Sequence, residues 1–195
     1  MTVAFDTFMA QHRMTGSEKA DGYSCDAFDG LAESEKDTVF AMLESELPFS
    51  VEWLFYLNPE RAREVVKSAE QEFRGDAYRH IYLLQEYLVR SAGELQYQEH
   101  LFEDYPHYAD RLKPLVINAV GRTPANEKTI GFFKQVILAE TNVSAIRRAA
   151  QELLWAIEFY ANTETDQQAY CDLLEDLTNE NLDVRAKAVS RVDDA

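Results

Sequence analysis

His100, Glu103, Asp104 and His107 form the one cluster in the chain whose residue types and spacing suit metal ligation. On an unbroken helix His100 and Glu103 would share a face with His107 a turn further, and imidazole with carboxylate suits a divalent transition metal. Pro106 works against that geometry, because it disfavours helix at Tyr105 and turns His107 elsewhere. A second Glu-x-x-His, which a di-metal bundle site needs, is missing from the sequence. The reading is therefore no metal and no cofactor, with His100, Glu103 and His107 as weak candidates.

Other chemistry fares no better. A serine or cysteine nucleophile needs a base and an orienting group, and the sequence contains no G-x-S-x-G elbow. It has no glycine-rich phosphate loop either. His12 and His80 are isolated, and His80 lies beside Tyr78, Ile81 and Tyr82 in a setting that suits a half-buried structural imidazole. Cys25 and Cys171 lack the spacing of a zinc or redox pair, so two reduced thiols are expected, Cys171 packed on a helix. These absences predict a chain that is not an enzyme.

Two groups read instead as surfaces for a partner. Glu94, Tyr97, Glu99, Glu103, Asp104 and Tyr105 mix aromatics with acids, and residues 91–110 carry five acids and no Lys or Arg. Tyrosine anchors among carboxylates are one way to grip a cationic partner; the alternative is aromatic core under a solvated acidic face. The second group is the long glycine-punctuated loop 15–30, with Asp21, Tyr23, Asp26 and Asp29. Loops of that length are disproportionately functional, although Tyr23 and Phe28 would equally strap it to the body.

The elements that must position these groups are helices. Apolar residues at Ile146, Ala149, Ala150, Leu153, Leu154, Ile157, Tyr160 and Ala161 make one stripe at the helical period. Leu112, Leu115, Val116, Ala119 and Val120 make another, which Gly121 would end. Asn58-Pro59 and Thr123-Pro124 read as helix starts, a capping side chain followed by a proline that needs no hydrogen bond there. Further helices are expected at 3–13, 34–46, 49–57, 59–73, 77–91, 94–104, 125–140, 165–178 and 181–192, the apolar 49–57 as core. No alternating run bounded by hairpin turns competes. The fold class is all-α, an array of antiparallel helical hairpins forming one domain over 1–195: an N-terminal helix and loop (1–30), a helical array (31–124) and a terminal pair of hairpins (125–195).

That terminal part carries a resemblance. Leu173-Leu174-Glu175-Asp176-Leu177, the turn from Asn179 to Asp183, and Val184-Arg185-Ala186-Lys187-Ala188 resemble the two-helix unit of HEAT-type α-solenoid repeats. Ile146-Arg147 with Ala150 and Leu154 overlays Val184-Arg185 with Ala188 and Val192, 38 residues apart, close to the roughly 40-residue HEAT period. The resemblance covers about the last third of the chain and implies non-enzymatic recognition on stacked hairpins, without naming a partner.

Charge narrows the partner. The net charge of −16 opposes direct nucleic-acid binding, which draws its affinity from Lys and Arg on phosphates. Residues 1–60 carry 3 basic and 12 acidic side chains, whereas 111–150 carry 7 basic and 2 acidic. Such a field speeds encounter with a basic protein; it also serves solubility alone. No stretch approaches the roughly 20 apolar residues of a membrane span, and the first residues lack a signal-like core, so a cytoplasmic location is expected. The combined expectation is an acidic protein-binding module, similar in behaviour to bacterial immunity or antitoxin inhibitors. A small-molecule or metal-binding helical sensor or enzyme and a scaffold remain as alternatives, and the oligomeric state stays open.

Overall fold

Side-chain caps at Thr2, Asn58, Asn126 and Asn142 start four of the helices in the computed structural model, which describes residues 1–15, 22–160 and 164–193. Every regular element among them is helical. α1 (Val3–His12), α2 (Glu33–Glu44), α3 (Val51–Leu57) and α4 (Pro59–Phe73) come first, with a 3₁₀ turn at Cys25–Ala27. α5 (Tyr82–Ala92), α6 (Gln96–Asp104), a 3₁₀ turn at Tyr105–His107, α7 (Lys113–Gly121), α8 (Glu127–Ala139), α9 (Val143–Ala156), α10 (Glu164–Leu177) and α11 (Leu182–Asp193) follow. No helix among the described residues is long and apolar enough to cross a membrane. Contacts group the chain into two compact units, Met1–Phe73 and Arg74–Ala195.

In the first unit Thr2 caps α1, its Oγ1 accepting from Phe5 N–H at 3.1 Å. The same residue donates its N–H and its hydroxyl to Glu35 at 2.8 and 2.7 Å, which fixes α1 to the start of α2. These bonds hold the Glu35 carboxyl below the ordinary range, the Thr2 hydroxyl contributing most. Asn58 and Pro59 start α4 as expected, Asn58 Oδ1 accepting from Arg61 N–H at 3.0 Å. Phe8, Val39, Phe40, Leu43, Leu54 and Val66 are fully or almost fully buried. The apolar segment before and within α3 is only partly core: Val51, Leu54 and Phe55 are buried, but Phe49 and Tyr56 face solvent.

The second unit is built around α9, which packs on α8, α7 and α10, while α11 packs on α10 and α8. Ile117 and Val120 of α7, Phe133 and Ile137 of α8, and Ala149 and Leu153 of α9 are inaccessible. Each such large side chain contributes roughly 1.5–3 kcal/mol of burial. Arg185, the arginine of the HEAT-like pattern, donates Nη1–H to the Ile137 carbonyl at 2.8 Å, pinning α11 to the end of α8. Cys171 lies on α10 but is exposed, so it is not packed as expected.

Three boundaries differ from the sequence reading, each for a local reason. α5 begins at Tyr82 rather than near 77, because Gly75 takes a left-handed φ of 88° and Asp76 turns its carboxylate onto Tyr78 N–H. Thr123-Pro124 does not start a helix: the Thr123 hydroxyl donates backwards to Val120 O at 2.6 Å, and Asn126 is the cap of α8 instead. The α9 stripe stops at Ala156, since Glu158 adopts φ 59° and Phe159 N–H closes onto Leu154 O at 2.9 Å. Ile157 and Tyr160 thus fall beyond the helix, and Ala161 lies outside the described residues.

Gly131 interrupts α8 without structural need, because a Cβ added there meets nothing within 4 Å. Gly131→Ala is expected to stabilise the protein by about 0.5–1 kcal/mol through lost backbone freedom in the unfolded chain. Urea denaturation measures this, and a loss of stability would contradict the open surroundings of that Cα.

Candidate functional site

The loop residues singled out by sequence are held by an aromatic cluster in the first unit. Tyr23 stacks on Phe8 at 5.1 Å between ring centroids and 12° between planes, and Phe28 stacks on Trp53 at 4.6 Å. The Tyr23 hydroxyl donates to Glu46 Oε2 at 2.7 Å and meets His12 Nδ1 at 2.9 Å. Burial, then the Glu46 carboxylate, push its phenol well above the ordinary range. Asp29 Oδ1 accepts from the Tyr56 hydroxyl at 2.7 Å, and Asp26 is exposed. Asp21 lies outside the described residues. Tyr23 and Asp29 therefore fasten the segment, with Asp26 and Asp29 both at the surface.

In the second unit several acids of the base-free run 91–110 are paired with cations from elsewhere in the chain. Arg74 donates Nε–H to both Asp104 oxygens at 3.0 Å and Nη2–H to Glu103 at 2.6 Å, while Gln85 Nε2 donates to Asp104 at 2.7 Å. Lys128 reaches Glu99 at 2.6 Å, and Glu94 accepts from Gln96 at 3.2 Å. Tyr97 and Tyr105 are buried, 7% and 6% exposed, so this surface presents Glu103, with Glu94 and Glu99 half-buried, rather than tyrosine rings. Pro106 carries the chain into the 3₁₀ turn, His107 is exposed, and His100 packs edge-on against Tyr97. Among the described residues no group of three or more His, Cys, Asp and Glu side chains is placed to hold a metal ion, His100, Glu103 and His107 included.

Between α6 and α8 runs an open-sided groove of about 690 Å³. Phe102 and Phe132, stacked at 5.1 Å, form its apolar floor together with Val136 and Ala139. One end is the Glu99–Lys128 pair. At the other, Glu140 accepts from Lys113 Nζ at 2.9 Å, from the Tyr105 hydroxyl at 2.9 Å, and from the backbone N–H groups of Thr141 and Asn142 at 2.8 and 3.1 Å. Burial alone would raise the Glu140 carboxyl, but these four donors outweigh it and push it down to about 2. Tyr105 moves the opposite way, its phenol raised by burial and by Glu140.

Sequence reasoning found Glu99 and Tyr105 and missed Lys113, Phe132 and Glu140. One signal was present: Glu140 is the single acid between Lys128 and Arg148.

A second buried charge lies elsewhere in the same unit. Glu86, side chain 1% exposed, accepts from Arg122 Nε–H at 2.6 Å and Nη2–H at 2.5 Å and from Arg90 Nη1–H at 2.8 Å. Burial raises the neighbouring Tyr82 phenol to about 12 against the pull of Arg122. The ionisable groups around the groove are committed to one another, so it offers shape and apolar contact. No family model matches this chain, and no curated protein or solved structure shows significant similarity to it. What the geometry defines, among the described residues, is an all-helical protein whose second unit carries a groove with an aromatic floor and an ion-paired rim.

Proposed function

We propose that this chain is a non-catalytic interaction module that holds a basic protein, the groove between α6 and α8 receiving an apolar side chain of the partner. The observation that carries the proposal is the groove itself: an aromatic floor with its ionisable rim locked in Glu99–Lys128 and Glu140–Lys113 pairs. A site of that kind binds through buried apolar area, with the ion pairs fixing its walls. The net charge of −16 favours encounter of cationic partners with the chain as a whole. The HEAT-like reading of residues 125–195 belongs to the same proposal, supported by the paired helices α8 with α9 and α10 with α11 and by Arg185 on Ile137.

The test is capture by the immobilised chain at about 0.05 and 0.5 M salt, which spans strong and weak screening. Basic proteins should be retained at low salt and released at high salt. Ala139→Trp, at an exposed groove position, should reduce their capture at least about tenfold by filling the groove with unchanged helix content. Salt-independent capture, or capture indifferent to Ala139→Trp, defeats the proposal. The groove volume also lies within the roughly 300–1,000 Å³ of small-molecule sites. A small apolar ligand that raises the melting temperature of the parent chain but not of Ala139→Trp favours that second reading.

A further inference from the structure

We infer that a separate pocket between α8 and α9 receives the ammonium group of a lysine side chain from the basic partner, an inference that rests on the function proposed above. The pocket holds about 140 Å³ and is lined by Thr129 and Phe133 of α8, by Glu152, Trp155 and Ala156 of α9, and by Gly121 and Ala125 beside them. At about 30 Å³ for each water volume that is room for four or five waters, enough for the terminal methylenes and ammonium of a lysine.

Its chemistry selects a cation. Glu152 is 8% exposed, and among the described residues no hydrogen bond reaches its carboxylate. The nearest charge is Arg148 Nη1 at 3.8 Å, beyond hydrogen-bond distance and on a side chain 40% exposed. Arg122, the other cation that acts on it, is occupied by Glu86. A carboxylate this buried ordinarily has a partner at hydrogen-bond distance, and here burial holds it above the usual range against the weaker pull of Arg148 and Arg122. An incoming ammonium supplies that partner. Trp155, 60% exposed, stands at the mouth, and indole is the preferred ring for a cation. Phe133, Ala125 and Ala156 offer the apolar wall that methylenes require.

Gly121 shapes the site. A Cβ there would lie 2.1 Å from Glu152 Oε2, so glycine is what allows the carboxylate its place. With Oε2 against that backbone, Oε1, which Arg148 Nη1 approaches only to 3.8 Å, is the oxygen open to a single-point donor. An ammonium fits this better than a guanidinium fork, which needs both oxygens in one plane.

The probe is n-butylammonium chloride titrated into the full chain, with sodium chloride as the ionic-strength control. NMR of the Ala125 and Ala156 amides and of the Trp155 indole reads it, and the Trp53 indole in the first unit serves as reference. Saturable shifts at the pocket, weakened at least about tenfold in Glu152→Gln, support the inference. No saturable shift, or equal shifts in Glu152→Gln, overturns it. Should Glu152→Gln fail to fold, Trp155→Leu at its exposed position carries the same comparison through the two amides. Glu152→Gln must also weaken capture of the basic partner. Capture unchanged in a variant that has lost butylammonium overturns the lysine assignment and marks a site for free amines. Loss of groove-dependent capture in the parent chain, by contrast, sinks the underlying function and leaves the butylammonium result standing.

Discussion

Arg122→Met is expected to destabilise the second unit by about 3 kcal/mol, because it strands a buried carboxylate. Arg122 binds both oxygens of Glu86, whose side chain is 1% exposed. Arg90 shares only Oε1, so the substitution leaves Oε2 without the donor that offset its desolvation. The effect is asymmetric. Arg122 is itself 45% exposed, and when Glu86→Gln removes the charge instead, both arginines can turn to water. Glu86→Gln introduced into the Arg122→Met background should therefore recover at least about 1 kcal/mol, since a neutral amide costs less to bury than an unpaired ion. Chemical denaturation measures the totals, and amide hydrogen exchange in α5 and α7 localises them. A cost below about 0.5 kcal/mol for Arg122→Met would mean that Arg90 suffices and that the pair is an ordinary surface contact.

How far the sequence exposed this architecture depends on the range of the interaction. Asn58-Pro59 and the stripe from Ile146 to Leu154 are short-range signals, and each produced the helix it predicted. The acids of residues 91–110 looked uncompensated because their cations, Arg74 and Lys128, lie some 30 positions away in sequence. Gly121 is the last residue of α7, as its type suggested, but it also admits the Glu152 carboxylate, which no local pattern encodes. The Thr123-Pro124 start failed because a threonine hydroxyl can equally donate back into the preceding helix, a competition that propensity does not decide. The candidate groove was half legible in the same sense: its α6 wall carried a visible mixture of aromatics and acids, whereas its α8 floor resembled any core helix.

The Glu140 end of the groove should make stability depend on pH in a defined window. The folded-state carboxyl lies at about 2, against an ordinary value of 4.5, so the unfolded chain binds the proton more readily. Its contribution is thus fully present above about pH 4.5 and is lost as pH falls from there through about 2. A displacement of that size corresponds to about 3 kcal/mol at neutral pH. The stability difference between the parent chain and Glu140→Gln should therefore be constant above about pH 4.5 and shrink by roughly that figure as pH falls from there to about 2. Lys113→Met should keep part of the gap, because the Thr141 and Asn142 N–H groups and the Tyr105 hydroxyl still donate to the carboxylate. A gap that stays flat from pH 7 to pH 2 would show that Glu140 titrates alike in the folded and unfolded chains. The groove would then lose the charged clamp that fixes its end, and partner capture should prove indifferent to Lys113→Met as well.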